Sequence, residues 1–155
     1  MAKLVNLGVV ELKDTGMDLR GVAYGDLEDA FDVAVKIKNV GAMAIGALVY
    51  EGRRVFSADQ ITQAITSRNV GEQTAERYAR VWEHWRNYEW AHYLEQTSFT
   101  HLDAVYTLPI EKRRELLDAV IKDDLPRESL RQMVREEKDT PPKPPKKCPH
   151  CGGLL

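Results

Sequence analysis

The sequence has very little cysteine and no long hydrophobic run. Of its 155 residues only Cys148 and Cys151 are cysteine, so no disulfide framework holds the fold together. The longest apolar run, residues 40–50, is well short of the roughly 18 to 20 residues that cross a membrane. The first residues lack the continuous apolar segment of a signal peptide. We therefore expect a cytoplasmic protein with an ordinary hydrophobic core and no membrane partner.

The sequence also lacks the residue groups that catalysis requires. No nucleophile, general base and orienting group stand in a recognisable arrangement, and His84, His92 and His101 do not have metal-ligand spacing. We predict that the protein is not an enzyme and has no small-molecule substrate. The catalytic alternative is a nuclease subunit that uses scattered carboxylates and a metal ion.

Charge is small overall, with a formal net charge of -2, but it is unevenly distributed. Residues 1–32 carry seven carboxylates against three cations, and residues 87–108 carry three carboxylates and no lysine or arginine. Residues 52–86 carry six arginines and no lysine against four carboxylates. Arginine is the residue best suited to bidentate contacts with phosphate and guanine. An anionic partner is therefore expected to bind the middle of the chain.

Apolar residues at helical spacing predict an all-α, multi-helix domain over residues 26–138. Asp26 is the expected N-cap of a first helix that ends near residue 38. Residues 40–50 form either a buried helix or a strand pair, and their composition favours the helix. Further helices are predicted near residues 57–67, 72–86, 89–95, 101–108, 110–121 and 126–138.

Three shorter segments flank this domain. Residues 1–25 have no helical period and are interpreted as an N-terminal acidic arm, weakly ordered or forming short strands. Residues 139–147 contain four prolines and predict a flexible Pro-rich linker in which the polyproline segment itself is semi-rigid. Residues 148–155 carry both cysteines and are interpreted as a short C-terminal knuckle.

Two of the predicted helices are joined by a short turn. Ser57 and Gln60 have the spacing of a capping box at the start of the first helix, which we expect to end at Ser67. The turn contains Asn69 and Gly71, and a second helix begins at residue 72 or 73. This is the arrangement of a helix-turn-helix, whose second helix places its N-terminal residues in the DNA major groove. A helix pair with a purely structural role is the alternative.

The DNA-binding interpretation assigns a role to seven side chains. Gln73 suits adenine, and Arg77 and Arg80 suit guanine or phosphate. The turn residues suit phosphate, and the two hydroxyl side chains suit phosphate or the thymine methyl group. The complete predicted set is Ser67, Arg68, Asn69, Gln73, Thr74, Arg77 and Arg80.

The stretch that follows resembles a known family. Residues 98–109 read SFTHLDAVYTLP and precede two amphipathic segments, EKRRELLDAVIKDD and LPRESLRQMVREE. With the helix-turn-helix, this resembles the DNA-binding domain of ParB-type partition proteins and their KorB-like relatives over about residues 57–136. In that family a Ser-x-x-His-Ala-like turn, a Leu-Pro step and short DNA-clamping helices follow the helix-turn-helix. The matching positions here are Ser98, His101, Ala104, Leu108 and Pro109.

The resemblance implies double-stranded DNA binding, as a plasmid- or phage-type regulator or a partition or replication accessory factor. It does not imply CTP binding, because the residue order in Glu51-Gly52-Arg53-Arg54 differs from the family's arginine motif and the companion motifs are absent. A homo-oligomer is expected, since two recognition helices bind more tightly than one. The alternative function is a helical adaptor or assembly protein that binds protein partners through its aromatic face and C-terminal tail.

That aromatic face lies in and just after the second helix of the pair. All three tryptophans fall within nine residues, and Tyr78, Trp82 and Trp85 follow i, i+4, i+7 spacing. Such a stripe is typical of a hydrophobic core or a subunit contact. A platform on which exposed bases stack is the less favoured interpretation.

Cys148 and Cys151 form a Cys-x-x-Cys-Gly pattern that is typical of a zinc knuckle. A structural zinc site needs four ligands, so the others would come from a second subunit or from a histidine such as His150. The alternatives are an unmetallated remnant and a redox-active pair, although redox Cys-x-x-Cys motifs normally begin a helix of an α/β fold.

We expect protein purified without chelator to carry zinc. Native mass spectrometry should detect the bound metal, and Cys148→Ser should remove it because one thiolate ligand is lost. Wild-type protein without zinc would exclude the knuckle.

Overall fold

The structure is a computed structural model that describes residues 4–13, 16–37 and 39–139. Within these ranges the chain is mostly helical, as the apolar spacing predicts. The strands are β1 (Leu4–Leu7) and β2 (Val10–Lys13). The helices are α1 (Tyr24–Ala34), α2 (Val40–Gly52), α3 (Ala58–Thr66), α4 (Glu72–Trp85), α5 (Trp90–Gln96), α6 (Phe99–Val105), α7 (Ile110–Asp123) and α8 (Arg127–Asp139). None of these helices is long and apolar enough to cross a membrane.

The described part of residues 1–25 begins with an antiparallel hairpin. β1 pairs with β2, with Leu7 opposite Val10, and the turn between them uses Gly8 at a φ of 90°. Leu7, Val10, Leu12 and Leu19 are buried in the same core as the helices. Of the two structures expected for this segment, the chain adopts the short strands, and they pack against α1.

α1 begins earlier and ends earlier than its sequence pattern predicts. The prediction that Asp26 is the N-cap is wrong, because the N-cap is Ala23 and Asp26 lies in the first turn. A tertiary contact accounts for the difference. The hydroxyl of Tyr24 donates a hydrogen bond to the carbonyl of Gln60 at 3.0 Å, and its ring packs edge-on against Phe56. This contact fixes the first helical residue against the start of α3.

α2 is the buried helix of the two alternatives predicted for residues 40–50. It packs against α1, α6 and, most extensively, α4. The approach to α4 is close because Gly46 lies directly on the α4 backbone. A Cβ at Gly46 would lie 2.6 Å from the carbonyl carbon of Tyr78 and closer still to its oxygen. The apolar run is therefore the central helix of the domain.

α3, the turn and α4 follow the predicted boundaries closely. The Ser57 hydroxyl accepts a hydrogen bond from the backbone N–H of Gln60 at 3.2 Å, and the Gln60 side chain accepts one from the Ser57 N–H at 3.1 Å, so the capping box is confirmed. Ser67 is the C-cap of α3. Asn69 adopts left-handed backbone with a φ of 59°, and α4 begins at Glu72.

The tryptophans belong to the core. Trp82 and Trp85 are completely buried and Trp90 is 3% exposed. Trp82 and Trp90 meet in an edge-to-face contact with ring centroids 5.6 Å apart. The interpretation of this face as core is confirmed, and a base-stacking platform built from these side chains is excluded because their rings are not accessible.

Arg113 of α7 closes the C-terminal end of α4. Its guanidinium donates hydrogen bonds to the carbonyls of His84 at 2.6 Å and Leu108 at 2.7 Å, and it lies over the ring of Trp85. A cation at this position interacts favourably with the negative end of the helix dipole. Burial lowers the pKa of Arg113. This residue fixes α7 relative to α4.

Gly46→Ala should lower the free energy of unfolding by about 1–3 kcal/mol, because the added methyl group overlaps the Tyr78 carbonyl and forces α2 and α4 apart. Urea denaturation followed by tryptophan fluorescence measures this change. Gly25→Ala is the matched control, since a Cβ at that position in α1 meets no atom within 4 Å. We expect it to be neutral or stabilising by up to about 1 kcal/mol. Equal effects of the two substitutions would contradict the close crossing.

Candidate nucleic-acid interface

The N-terminal two turns of α4 have one exposed and one buried face. Gln73, Arg77 and Arg80 lie at i, i+4, i+7 and are exposed, as is Thr74 beside them. The opposite face, which includes Ala75, is buried. The structure thus places the four residues predicted on this helix together on one accessible surface.

Two open grooves border this surface. The first, with a volume of about 620 Å³, lies between α4 and α6. The second, of about 490 Å³, lies between α4 and the end of α2. Glu76 and Arg80 line both grooves, so Arg80 stands on the ridge between them. The first groove is lined by Glu72, Gln73, Glu76, Arg77, Arg80, Asp103 and Tyr106.

Most arginines of residues 52–86 are paired with carboxylates. Five of the six form an ion pair, and the positive surplus expected from the sequence is therefore offset locally. The pairs are Arg53–Glu76, Arg54–Glu51, Arg68–Asp32, Arg77–Asp103 and Arg86–Glu51.

The ion pairs Arg53–Glu76 and Arg77–Asp103 border the grooves, and the arginine guanidinium is bonded differently in each. Both terminal nitrogens of Arg53 bond the two carboxylate oxygens of Glu76, one of them at 3.2 Å. Within the part of the chain that the structure describes, Arg77 donates only from Nη2, to Oδ2 of Asp103. The hydrogen bond from Arg53 lowers the pKa of Glu76, and the hydrogen bond to Asp103 raises the pKa of Arg77.

Arg80 differs from these arginines. Among the described residues no side chain or carbonyl forms a hydrogen bond or ion pair with its guanidinium. It is exposed, and its positive charge contributes to lowering the pKa of Glu76 one helical turn away. This side chain is the cation best placed to receive an external anion.

The turn between α3 and α4 is tied to α1 through Arg68. Its guanidinium donates to Asp32 at 2.7 Å and to the carbonyl of Ala64 at 3.0 Å, and its side chain is only 13% exposed. Ser67 and Asn69 are exposed. Of the predicted phosphate contacts Ser67, Arg68 and Asn69, Arg68 therefore has its donors directed at α1 and α3 rather than at solvent.

Glu51 has a structural role that the sequence alone did not indicate. It is 7% exposed at the end of α2. It accepts a hydrogen bond from the indole of Trp82 at 3.2 Å and pairs with Arg86 at 2.9 Å and Arg54 at 3.6 Å. The sequence feature that could have indicated this role is the position of a carboxylate at the end of the apolar run. Trp82 and Arg86 belong to α4 and its C-cap, so these two contacts fix the far end of α2 to α4.

The sequence-predicted metal site lies elsewhere in the chain. Cys148, Cys151 and residues 140–147 of the linker are outside the described residues, so the zinc knuckle and the linker stay predictions. In the ranges that the structure covers, no group of three or more His, Cys, Asp or Glu side chains is arranged to hold a metal ion.

At the start of α6 the Ser98 hydroxyl and His101 Nδ1 are hydrogen-bonded at 2.7 Å.

Comparison with protein-family models, curated proteins and solved structures finds no match to this chain.

Glu51→Gln should lower the free energy of unfolding by about 1–3 kcal/mol, because Arg86 loses its counter-ion and the indole of Trp82 loses a charged acceptor. Urea denaturation followed by tryptophan fluorescence measures it. The matched control is Glu115→Gln, which removes the same charge from an exposed pair with Lys112. That change should stay within about 0.5 kcal/mol. A Glu51 variant as stable as the control would show that the buried pair does not hold α2 to α4.

Proposed function

We propose that this protein binds double-stranded DNA, with α3, the turn and α4 acting as a helix-turn-helix and α4 entering the major groove. The observation that carries the proposal is the exposed face of the first two turns of α4, which presents Gln73, Thr74, Arg77 and Arg80 together. Amide and guanidinium side chains at this position on a second helix are suited to base edges and phosphates.

The surroundings of α4 support this role because they hold the helix pair rigidly. Tyr24 and Arg68 connect α1 with α3 and with the turn, and Gly46 lets α2 support the buried face of α4. A recognition helix that is fixed before binding loses little conformational entropy when it docks. The exposed face of α4 is then free to contact DNA while its other face stays in the core.

The charge distribution predicts modest affinity. Arg80 is exposed and without an ion pair among the described residues, whereas Arg53 and Arg77 are already paired. Each phosphate contact formed by a cation releases counter-ions and steepens the salt dependence of binding. With few unpaired cations at the interface, one domain should bind weakly. A homo-oligomer that presents two α4 helices would supply the remaining affinity.

The biological role proposed with this activity is that of a plasmid- or phage-type regulator, or of a partition or replication accessory factor. The competing adaptor hypothesis uses an accessible aromatic face together with the C-terminal tail, which lies outside the described residues. Trp82, Trp85 and Trp90 are buried, so a protein partner would have to bind some other surface. The accessible α4 face therefore favours DNA over a protein partner.

Arg80→Ala should weaken binding to a random-sequence duplex and reduce the steepness of its salt dependence. Removing one phosphate contact lowers the slope of log K against log salt concentration by about 0.9. Fluorescence anisotropy with a labelled 30-base-pair duplex over a salt series measures both quantities.

Lys36→Ala is the matched control for charge. Lys36 is exposed after the end of α1 and lines neither groove, so its removal should leave the slope unchanged. Wild-type protein that does not bind duplex at low salt would contradict the proposed function. Equal slopes for wild type and the Arg80 variant would contradict the assignment of α4 as the interface.

A further inference from the structure

Arg53, at the end of α2, and Arg77, on α4, are both ion-paired but use their guanidinium groups differently. Arg53 has both terminal nitrogens bonded to Glu76, so its fork is occupied. Arg77 bonds Asp103 through Nη2, its side chain is 51% exposed, and it lines the groove between α4 and α6. One edge of the Arg77 guanidinium is held, and no other described residue bonds its remaining donors, which leaves them for a ligand in the groove.

We propose that Asp103 is a positioning residue that makes Arg77 a reader of base sequence. This inference rests on the proposed function and deepens it by assigning different tasks to two arginines of α4. Arg77 supplies discrimination between base sequences, and Arg80 supplies sequence-independent affinity for phosphate.

Charge explains this division. The Coulomb attraction of a guanidinium for phosphate is long-ranged and non-directional, and an adjacent carboxylate offsets much of it. The hydrogen-bond donors of the guanidinium are directional and are not cancelled. A paired arginine therefore gains little from the DNA backbone and still recognises the O6 and N7 acceptors of guanine. Arg80, which has no such partner among the described residues, keeps its attraction for phosphate.

The position of Asp103 makes it a firm support. Its side chain is 11% exposed and is carried by α6. The neighbouring residues Leu102 and Val105 are buried, and the Leu102 carbonyl accepts a hydrogen bond from the indole of Trp85 at 3.3 Å. α6 is thus fixed to the core at the level of α4. A support fixed in this way restricts the rotamers of Arg77 and lowers the entropy lost on binding a base pair.

The test uses the full-length protein, a duplex enriched by selection from random DNA, and a random-sequence duplex of the same length. Asp103→Asn should raise affinity for the random duplex and steepen the salt slope by about 0.9, because Arg77 becomes available to phosphate. The ratio of affinities for the selected and random duplexes should fall about tenfold. Circular dichroism and urea denaturation establish that the variant is folded.

A double variant keeps the inference falsifiable if Asp103→Asn alone perturbs the fold. In an Arg77→Ala background, Asp103→Asn should bring no further loss of discrimination and no steeper slope, since its effect acts through Arg77. Arg77→Ala alone should abolish most of the discrimination between the two duplexes. Glu115→Gln is the control, because it removes one exposed carboxylate of α7 that lines neither groove. It should leave discrimination intact.

Several results would overturn the inference. Selection that enriches no sequence would do so, as would an Asp103 variant with unchanged discrimination, or one that loses discrimination equally with and without Arg77. Failure of the proposed function is distinguishable from these results, because then neither duplex binds wild-type protein at any salt concentration. If wild type binds and Arg80→Ala flattens the slope, the proposed function stands whether or not Asp103 positions Arg77.

Discussion

The crossing of α2 over α4 is the constraint on which the rest of the structure depends. It needs a residue without a side chain at Gly46, since the carbonyl of Tyr78 occupies the space that a Cβ would take. At the far end of α2 the buried carboxylate of Glu51 joins the indole of Trp82 to Arg86. With one face of α4 fixed in this way, its other face is necessarily directed to solvent. The same packing that builds the core therefore creates the surface proposed to bind DNA.

The fold pairs arginines around α4 with carboxylates, so the surface is less basic than the charge pattern of the sequence indicates. Six arginines against four carboxylates in residues 52–86 indicate a basic surface. In three dimensions Arg53, Arg68 and Arg77 are matched by Glu76, Asp32 and Asp103, two of which come from outside that segment. The fold thus leaves little unpaired positive charge at the interface. If this surface binds DNA as proposed, the direction of its hydrogen bonds matters more than its net charge.

Local signals made much of the helical architecture predictable, and distant contacts explain what was missed. The capping box of Ser57 and Gln60 is a local pattern, and it located the start of α3. The start of α1 depends on a hydrogen bond from Tyr24 to a residue 36 positions away, which no local pattern encodes. The same is true of the site. Helical spacing places Arg77 and Arg80 on one face of α4, but it cannot reveal that Asp103 pairs with only one of them.

DNA is proposed to bind this protein at the exposed face of α4. The most direct test is to add an unlabelled duplex to ¹⁵N-labelled protein and record amide chemical shifts by NMR. Binding at α4 should shift the amides of Gln73, Thr74, Arg77 and Arg80 in a concentration-dependent and salt-sensitive way, while the buried amides around Gly46 change little. Shifts confined to other surfaces, or no shifts at low salt, would contradict the account.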